Sequence, residues 1–383
     1  MVRSVLVSWT VPPVTTGSSV IVGNLARQFH PEEMVIVGAK PWAAPALEWQ
    51  QRWPPINYAS IEPPPALRGG RWLRIGEGPI VLLRILQVCR KSRAEVVLAV
   101  FPDEVYLTAA LLASKLLRLT FVPYFHNTLV ENRVDSRIAR WLQRAVFASS
   151  PFLLVISEGM QCLYADRYPD IETHVVPHTF PEALGQDASC PPVHMPLRLA
   201  FSGNVNGACD VAMANLVAAI QGMDNVDCSL YTGSTVAALR RVGVSGPKFS
   251  TKELSRRQLL ESLRDADVLL LPHGFGAGRS GVEMETIFPT KTIEYLISGR
   301  PILAHVQPGT FLSEFLTSHQ CAYVVHDPDA DALRKALEDL RSDGELRHRL
   351  VINALRTAMA FQGDRVAQEL RLLLAQAMIP KEQ

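Results

Sequence analysis

The sequence predicts an α/β protein built from two doubly wound, parallel-sheet domains. Two observations predict it. Short, continuous apolar runs alternate with helix-period stretches along the chain, and that alternation stops once, near the middle, before restarting. A length of 383 residues, more than one ordinary core holds, agrees with a count of two.

In the first half the apolar runs fall at 4–9 (SVLVSW), 34–38, 95–100, 120–125, 152–156 and 173–177. Helical patterns lie between them near 18–29, 79–92, 104–118, 132–148 and 157–167. Strands that do not alternate apolar with polar are buried on both faces, as a parallel sheet covered by helices requires. Residues 180–196 (FPEALGQDASCPPVHMP) hold four prolines and no periodicity, which marks a linker. Runs then resume at 197–202, 226–231, 267–272, 301–305 and 321–326, with helical patterns at 210–222, 255–265, 290–299, 309–318 and 329–341. The expected domains are therefore 1–185 and 196–359, followed by one long helical stretch over 345–378.

Composition narrows the function classes. With 48% hydrophobic and 20% charged residues the chain is globular, and a formal charge of +1 disfavours nucleic acid as a partner. No apolar run reaches the roughly 20 residues of a membrane span, and the N-terminus enters a strand without a signal-peptide cleavage site. Six scattered cysteines without C-x-x-C spacing read as free thiols in a reducing, cytoplasmic setting.

Open parallel sheets bind ligands beyond the carboxyl ends of their strands, so the loops there carry the candidates. After the first strand, Gly17 gives the chain freedom and Ser18 suits a helix cap. The G-x-G-x-x-G fingerprint of dinucleotide enzymes is absent from that loop. His126 stands at the end of a strand, where an imidazole can hydrogen-bond a sugar or polarise a hydroxyl; a structural histidine is the plain alternative. In Phe201-Ser-Gly-Asn-Val-Asn-Gly207, Gly203 and Gly207 let backbone N–H groups approach an anion. In FPTKTIEYLISGRP (288–301), Pro289 and Thr290 suit a helix start, and Lys291 and Glu294 share a face. An ammonium can meet a diphosphate there and a carboxylate can accept ribose hydroxyls, or the two can form an ordinary surface pair.

FPTKTIEYLISGRPILA resembles the P-x-K-x-x-E-Y-L-x-x-G-x-P signature of glycosyltransferases with the GT-B fold, closest in style to family 4 of that group. His126, VISEGM (155–160), VVPHTF (175–180), FSGN (201–204) and ADVLLLP (266–272) echo that family in order. The resemblance implies two Rossmann-like domains facing a cleft, the second holding a nucleoside-diphosphate sugar and the first mainly a glycan or lipid-linked acceptor. It also implies that the terminal helix, about 360–383, packs back on the first domain. By the same resemblance Glu294 accepts the ribose hydroxyls and Lys291 faces the diphosphate, with Thr290 beside it. Gly203 and Asn204 approach the diphosphate through the backbone, His126 contacts the donor sugar, and Gly17 lies near the reacting groups.

The sequence departs from the family in one place. Where family 4 has E-G-F-G opening an E-x7-E pair, this chain has His273-Gly-Phe-Gly276, and the distance to Glu294 grows from 8 to 21 positions, an insertion of 13. The inserted loop carries Arg279, a second candidate cation for the diphosphate. No paired-carboxylate motif implies a metal, and no cofactor is expected beyond the donor substrate. Retention of configuration is the expectation; inversion would require a base such as Asp103, Glu104 or Glu131. A nucleotide-sugar epimerase and a non-catalytic nucleotide-sugar-binding protein are the alternatives. Finally, thirteen cations face six acids between 68 and 144, with Trp72 and Trp141 among them. A basic amphipathic face of this kind suits peripheral contact with the inner face of a membrane; a solvated helix face is the plain reading.

Overall fold

The computed structural model describes residues 1–12, 17–39, 57–62, 76–131, 136–182, 192–276 and 281–379. Arg279, Arg68, Arg71, Trp72, Arg74, Arg133 and most of the 180–196 linker lie outside the described residues. The chain divides into two compact units, Met1–Pro181 with Phe361–Gln383, and Glu182–Ala360.

The first unit runs β1 (Ser4–Ser8), α1 (Gly17–Ala26), β2 (Met34–Ala39), β3 (Asn57–Ile61), α2 (Gly78–Ser92), β4 (Val96–Phe101), α3 (Glu104–Leu117), β5 (Thr120–Phe125), α4 (Arg137–Phe147), β6 (Leu153–Val155), α5 (Glu158–Arg167) and β7 (Thr173–Val175). Its sheet has the order β3-β2-β1-β4-β5-β6-β7, and every pairing is parallel. The central strands β1 and β4 are buried along their whole length, so their continuous apolar sequences match their surroundings. Side-chain oxygens begin three of the helices: Asp103 accepts from the Tyr106 N–H, Ser136 from Ala139 and Ser157 from Met160.

The second unit runs β8 (Leu197–Ser202), α6 (Asp210–Gln221), β9 (Val226–Tyr231), α7 (Val236–Arg241), β10 (Phe249–Lys252), α8 (Arg256–Arg264), β11 (Val268–His273), α9 (Gly281–Thr286), α10 (Lys291–Leu296), β12 (Ile302–Val306), α11 (Phe311–Ser318), β13 (Tyr323–Val325), α12 (Ala330–Ser342) and α13 (Gly344–Ala358). Its parallel sheet has the order β10-β9-β8-β11-β12-β13. Strands β3 and β10 have no counterpart among the sequence-predicted runs. Both are sheet edges, and their sequences, NYASI and FSTK, are polar because one flank and part of each face meet solvent.

The stretch expected as one helix over 345–378 is two. A 3-10 turn, Met359–Phe361, separates α13 from α14 (Gly363–Gln376). The backbone explains the break: the Phe180 N–H donates to the Phe361 carbonyl at 3.3 Å and the Gly363 N–H to the Phe180 carbonyl at 3.1 Å. A Cβ on Gly363 would sit 2.5 Å from Gln28 Nε2, so a larger residue there would have to displace that side chain. Beyond the break, α14 buries Val366, Ala367, Leu370 and Leu374 in the first unit's core. Arg371 stands over the Phe29 ring, 4.5 Å from its centre, and binds both Glu33 carboxylate oxygens at 3.0 and 2.9 Å. That pairing holds the Glu33 carboxyl below its ordinary range.

Leu370 is fully buried. Leu370→Ala is expected to destabilise the first unit by about 2–5 kcal/mol, read as a lower urea midpoint for its transition. An unchanged midpoint would mean that α14 is not part of that core.

Candidate functional site

The site of the second unit starts from the end of β8. Gly203 follows that strand with φ +101°, a conformation that glycine adopts freely. Its N–H donates to the Tyr231 carbonyl at 3.0 Å, so it is not the anion donor that the sequence suggested. Val205 and Ala208 are likewise committed, their N–H groups going to Ser234 Oγ and Asn206 Oδ1. The amides left without an acceptor among the described residues belong to Asn204, Asn206 and Gly207. The side chain of Asn204 is exposed, its Oδ1 3.5 Å from Thr232 Oγ1. The helix that follows starts only at Asp210, whose carboxylate in the first turn works against an anion there.

Helix α10 lies against this strand end. Tyr295 is fully buried, and its hydroxyl accepts from the Ser202 N–H at 2.8 Å. Lys291, four residues earlier and so on the same face, is thereby laid over Phe201, its Nζ 4.2 Å from the ring centre. A Cβ on Gly203 would sit at ordinary contact distance from Lys291, 3.4 Å from Cε and 3.5 Å from Nζ, so the turn runs directly beside the ammonium and it is the positive φ that calls for glycine. Among the described residues, Lys291 Nζ has no hydrogen bond and no carboxylate within 4.0 Å. Burial pulls its pKa down, while the nearby Cys209 and Glu294 act in the opposite direction.

Glu294 turns to a partner that sequence reasoning missed. Arg256, the first residue of α8, donates from Nη1 to Glu294 Oε1 at 2.6 Å. The same guanidinium binds Glu182 through Nε at 3.2 Å and Nη2 at 3.3 Å. Burial raises the Glu294 carboxyl and Glu182 adds to that; Arg256 opposes both. Nothing in the sequence signalled this triad, whose members lie 74 and 38 positions apart.

Thr290 precedes α10 with helical backbone angles and no capping hydrogen bond, and the helix is six residues long, shorter than the 290–299 expected. Phe288 holds the approach to it by packing edge-on against Phe315, ring centres 4.9 Å apart. Part of the insertion forms α9, which places Glu283 in the interior and leaves Glu285 exposed.

His273 ends β11 as a buried residue. After it the chain turns through two left-handed residues, Gly274 at φ +96° and Phe275 at φ +65°. The strain at Phe275, about 1 kcal/mol or more, is held by its ring stacking on His305 at 4.6 Å and its N–H donating to Gln307 Oε1 at 3.1 Å. His305 donates from Nδ1 to the Val325 carbonyl and accepts from Asn215 at Nε2, each at 3.0 Å, so it is neutral and structural. The Gly274 N–H donates to the Ala208 carbonyl at 2.8 Å, which packs this turn against the loop after β8.

His126 and Gly17 belong to the first unit. Gly17 opens α1 rather than preceding it, which puts Ser18 inside the first turn instead of at the cap. His126 is 7% exposed, set edge-on to Tyr124 at 4.4 Å, and neither ring nitrogen has a protein partner among the described residues. Burial, with His178 nearby, lowers its pKa to about 3, so the ring is neutral at physiological pH. His178, which occupies the PHT turn noted in the sequence, accepts from Asn24 Nδ2 at 3.3 Å, and Asn24 donates also to the Thr179 carbonyl at 2.7 Å. Of the carboxylates considered as bases, Asp103 caps α3, and Glu131 accepts from the Tyr168 hydroxyl at 3.0 Å with Arg167 at 3.9 Å.

Arg256→Ala isolates the sign of the Glu294 shift. Without the guanidinium the folded-state pKa of Glu294 rises further above its unfolded value. The cost is then present above that pKa and vanishes once the carboxyl is protonated. A loss of about 1–3 kcal/mol is expected at neutral pH and a smaller one near pH 4, measured by chemical unfolding. Equal losses at both would contradict the pairing.

No protein-family model and no curated protein sequence matches the chain. Solved structures do. A sucrose-phosphate synthase from Thermosynechococcus elongatus superposes with a TM-score of 0.73 at 15% identity, over 98% of this chain and 99% of that one. Anabaena HepE in complex with UDP and glucose gives 0.71 at 13%, over 98% and 100%. A Listeria monocytogenes protein described as a UDP-N-acetylglucosamine 2-epimerase gives 0.63 at 12%, over 98% and 96%. These likenesses, together with the two all-parallel sheets, show that the chain has the GT-B fold.

Proposed function

We propose that this chain is a glycosyltransferase that moves a sugar from a nucleoside-diphosphate donor to an acceptor hydroxyl, in the synthesis of a glycan or glycolipid. The observation that carries the proposal is Lys291: a cation laid on an aromatic face beside a glycine loop, with no carboxylate in contact among the described residues. An uncompensated, partly buried charge is costly in the free protein and becomes favourable when an anion arrives. A diphosphate carries that charge, and the unpaired amides of Asn204, Asn206 and Gly207 add donors on the same strand end. Uracil is the first base to test, because the structural neighbour HepE was crystallised with UDP.

In this reading the bond between the anomeric carbon and the diphosphate oxygen breaks while the acceptor oxygen approaches. Negative charge develops on the departing diphosphate, where Lys291 lowers its energy; Arg279 serves as a second candidate cation. Glu294, held by Arg256, accepts the ribose hydroxyls through its second oxygen, and the loop after His273 borders the site. His126, neutral at physiological pH, binds a sugar hydroxyl through its ring nitrogens, and Gly17 allows close approach at the start of α1. Departure and attack on one face retain configuration and pass the acceptor proton to the leaving phosphate. The structural engagement of Asp103 and Glu131 favours that route over one needing a base. The reaction proposed uses no metal and no cofactor beyond the donor substrate. Isomerisation of the donor itself, suggested by the likeness to the Listeria protein, is the second reading; incubation with donor alone distinguishes the two.

A thermal-shift series with UDP, GDP and ADP tests the reading. One of them, at a hundred times its Kd, is expected to add about 2.7 kcal/mol of stability. Lys291→Ala is expected to lower kcat by about 100–1,000-fold with the fold intact. Absence of any shift, or near-normal turnover in the variant, would contradict it.

A further inference from the structure

Helix α4 separates its two faces cleanly. Ala139, Leu142, Gln143, Val146 and Phe147 are buried, whereas Ile138 is 75% exposed and Trp141 65% exposed. Arg137, Arg140 and Arg144 are exposed beside them, and the helix bears no acid. Ile138 and Trp141, three residues apart, lie on one face, where an aliphatic chain and an indole gain nothing from contact with water. The setting reinforces the charge. Connections β3 to β4, β4 to β5 and β5 to β6 all advance in the same direction across the sheet, so right-handed crossovers put α2, α3 and α4 in one layer. Those helices carry three, one and three cations against a single acid, Glu104.

We propose that this face of α4 rests on an anionic lipid surface, with Trp141 and Ile138 at headgroup depth and Arg137 and Arg144 against lipid phosphates. An indole flanked by guanidinium groups on a helix that itself bears no carboxylate complements a planar anionic interface. A protein partner of ordinary affinity would need a larger apolar area than two side chains. No helix among the described residues is long and apolar enough to cross a bilayer. The contact is therefore one of surface, and it stands independently of the chemistry assigned to Lys291. Helix α4 begins where the chain returns from the carboxyl end of β5, the sheet edge that also carries His126. Adsorption through α4 would hold that edge near a lipid-linked acceptor.

Co-sedimentation of the full chain with phosphatidylcholine vesicles, and with vesicles containing one-quarter phosphatidylglycerol, tests the proposal at 50 and 500 mM salt. Binding is expected on the anionic vesicles at low salt, with at least a tenfold loss on neutral vesicles or at high salt. Arg137→Gln with Arg144→Gln should weaken it by about 25-fold, roughly fivefold for each cation. Trp141→Ser with Ile138→Ser should weaken it while leaving the salt dependence in place. All four positions are exposed, so the circular dichroism spectrum should not change. Failure of the wild type to bind anionic vesicles at low salt, or variants that bind as it does, would overturn the proposal. So would sedimentation velocity showing a dimer that Trp141→Ser converts to a monomer, which would assign the face to a second copy of the chain.

Discussion

The second unit is organised around an ammonium, Lys291, that has no carboxylate within 4.0 Å among the described residues. Lys291 rests on the Phe201 ring because Tyr295, one helical turn on, is fixed to the end of β8 through the Ser202 N–H. Gly203 turns the chain away at that point, directly beside the ammonium. A strand end with its glycine turn and a short helix, Ser202 and Tyr295 being 93 positions apart, thus meet at one atom. Burial lowers the pKa of that ammonium, a shift that Cys209 and Glu294 oppose and that a bound anion would oppose further.

The neighbouring carboxylate shows the opposite design. Glu294 is on the same short helix but is tied to Arg256, which Glu182 also holds. A buried carboxyl would drift towards its neutral form; the guanidinium counters that drift and fixes the direction of one oxygen. Glu182 opens the second unit, so the guanidinium also ties the start of that unit to the candidate site.

Much of the fold was legible because its central strands are buried on both sides and read as unbroken apolar runs. The edge strands β3 and β10 were not, since a half-solvated strand has no such run. The break before Gly363 was hidden as well: it comes from a backbone pairing with Phe180, far away in sequence. In the site, Lys291, Glu294, Gly203 and His126 stood out by residue type and position, whereas the contact between Lys291 and Gly203, and the whole Arg256 pairing, exist only in three dimensions. The commitment of the Gly203 amide to Tyr231 corrected the role expected of that glycine, because a spacing in sequence does not say where an N–H points.

The most direct test of the central claim compares a nucleotide with and without its diphosphate. Calorimetric titration of UDP and of uridine into the wild type and Lys291→Ala should show a loss of about 10–100-fold for UDP in the variant and none for uridine. An equal loss for both ligands, or undiminished UDP binding, would contradict the assignment of Lys291 to the phosphates.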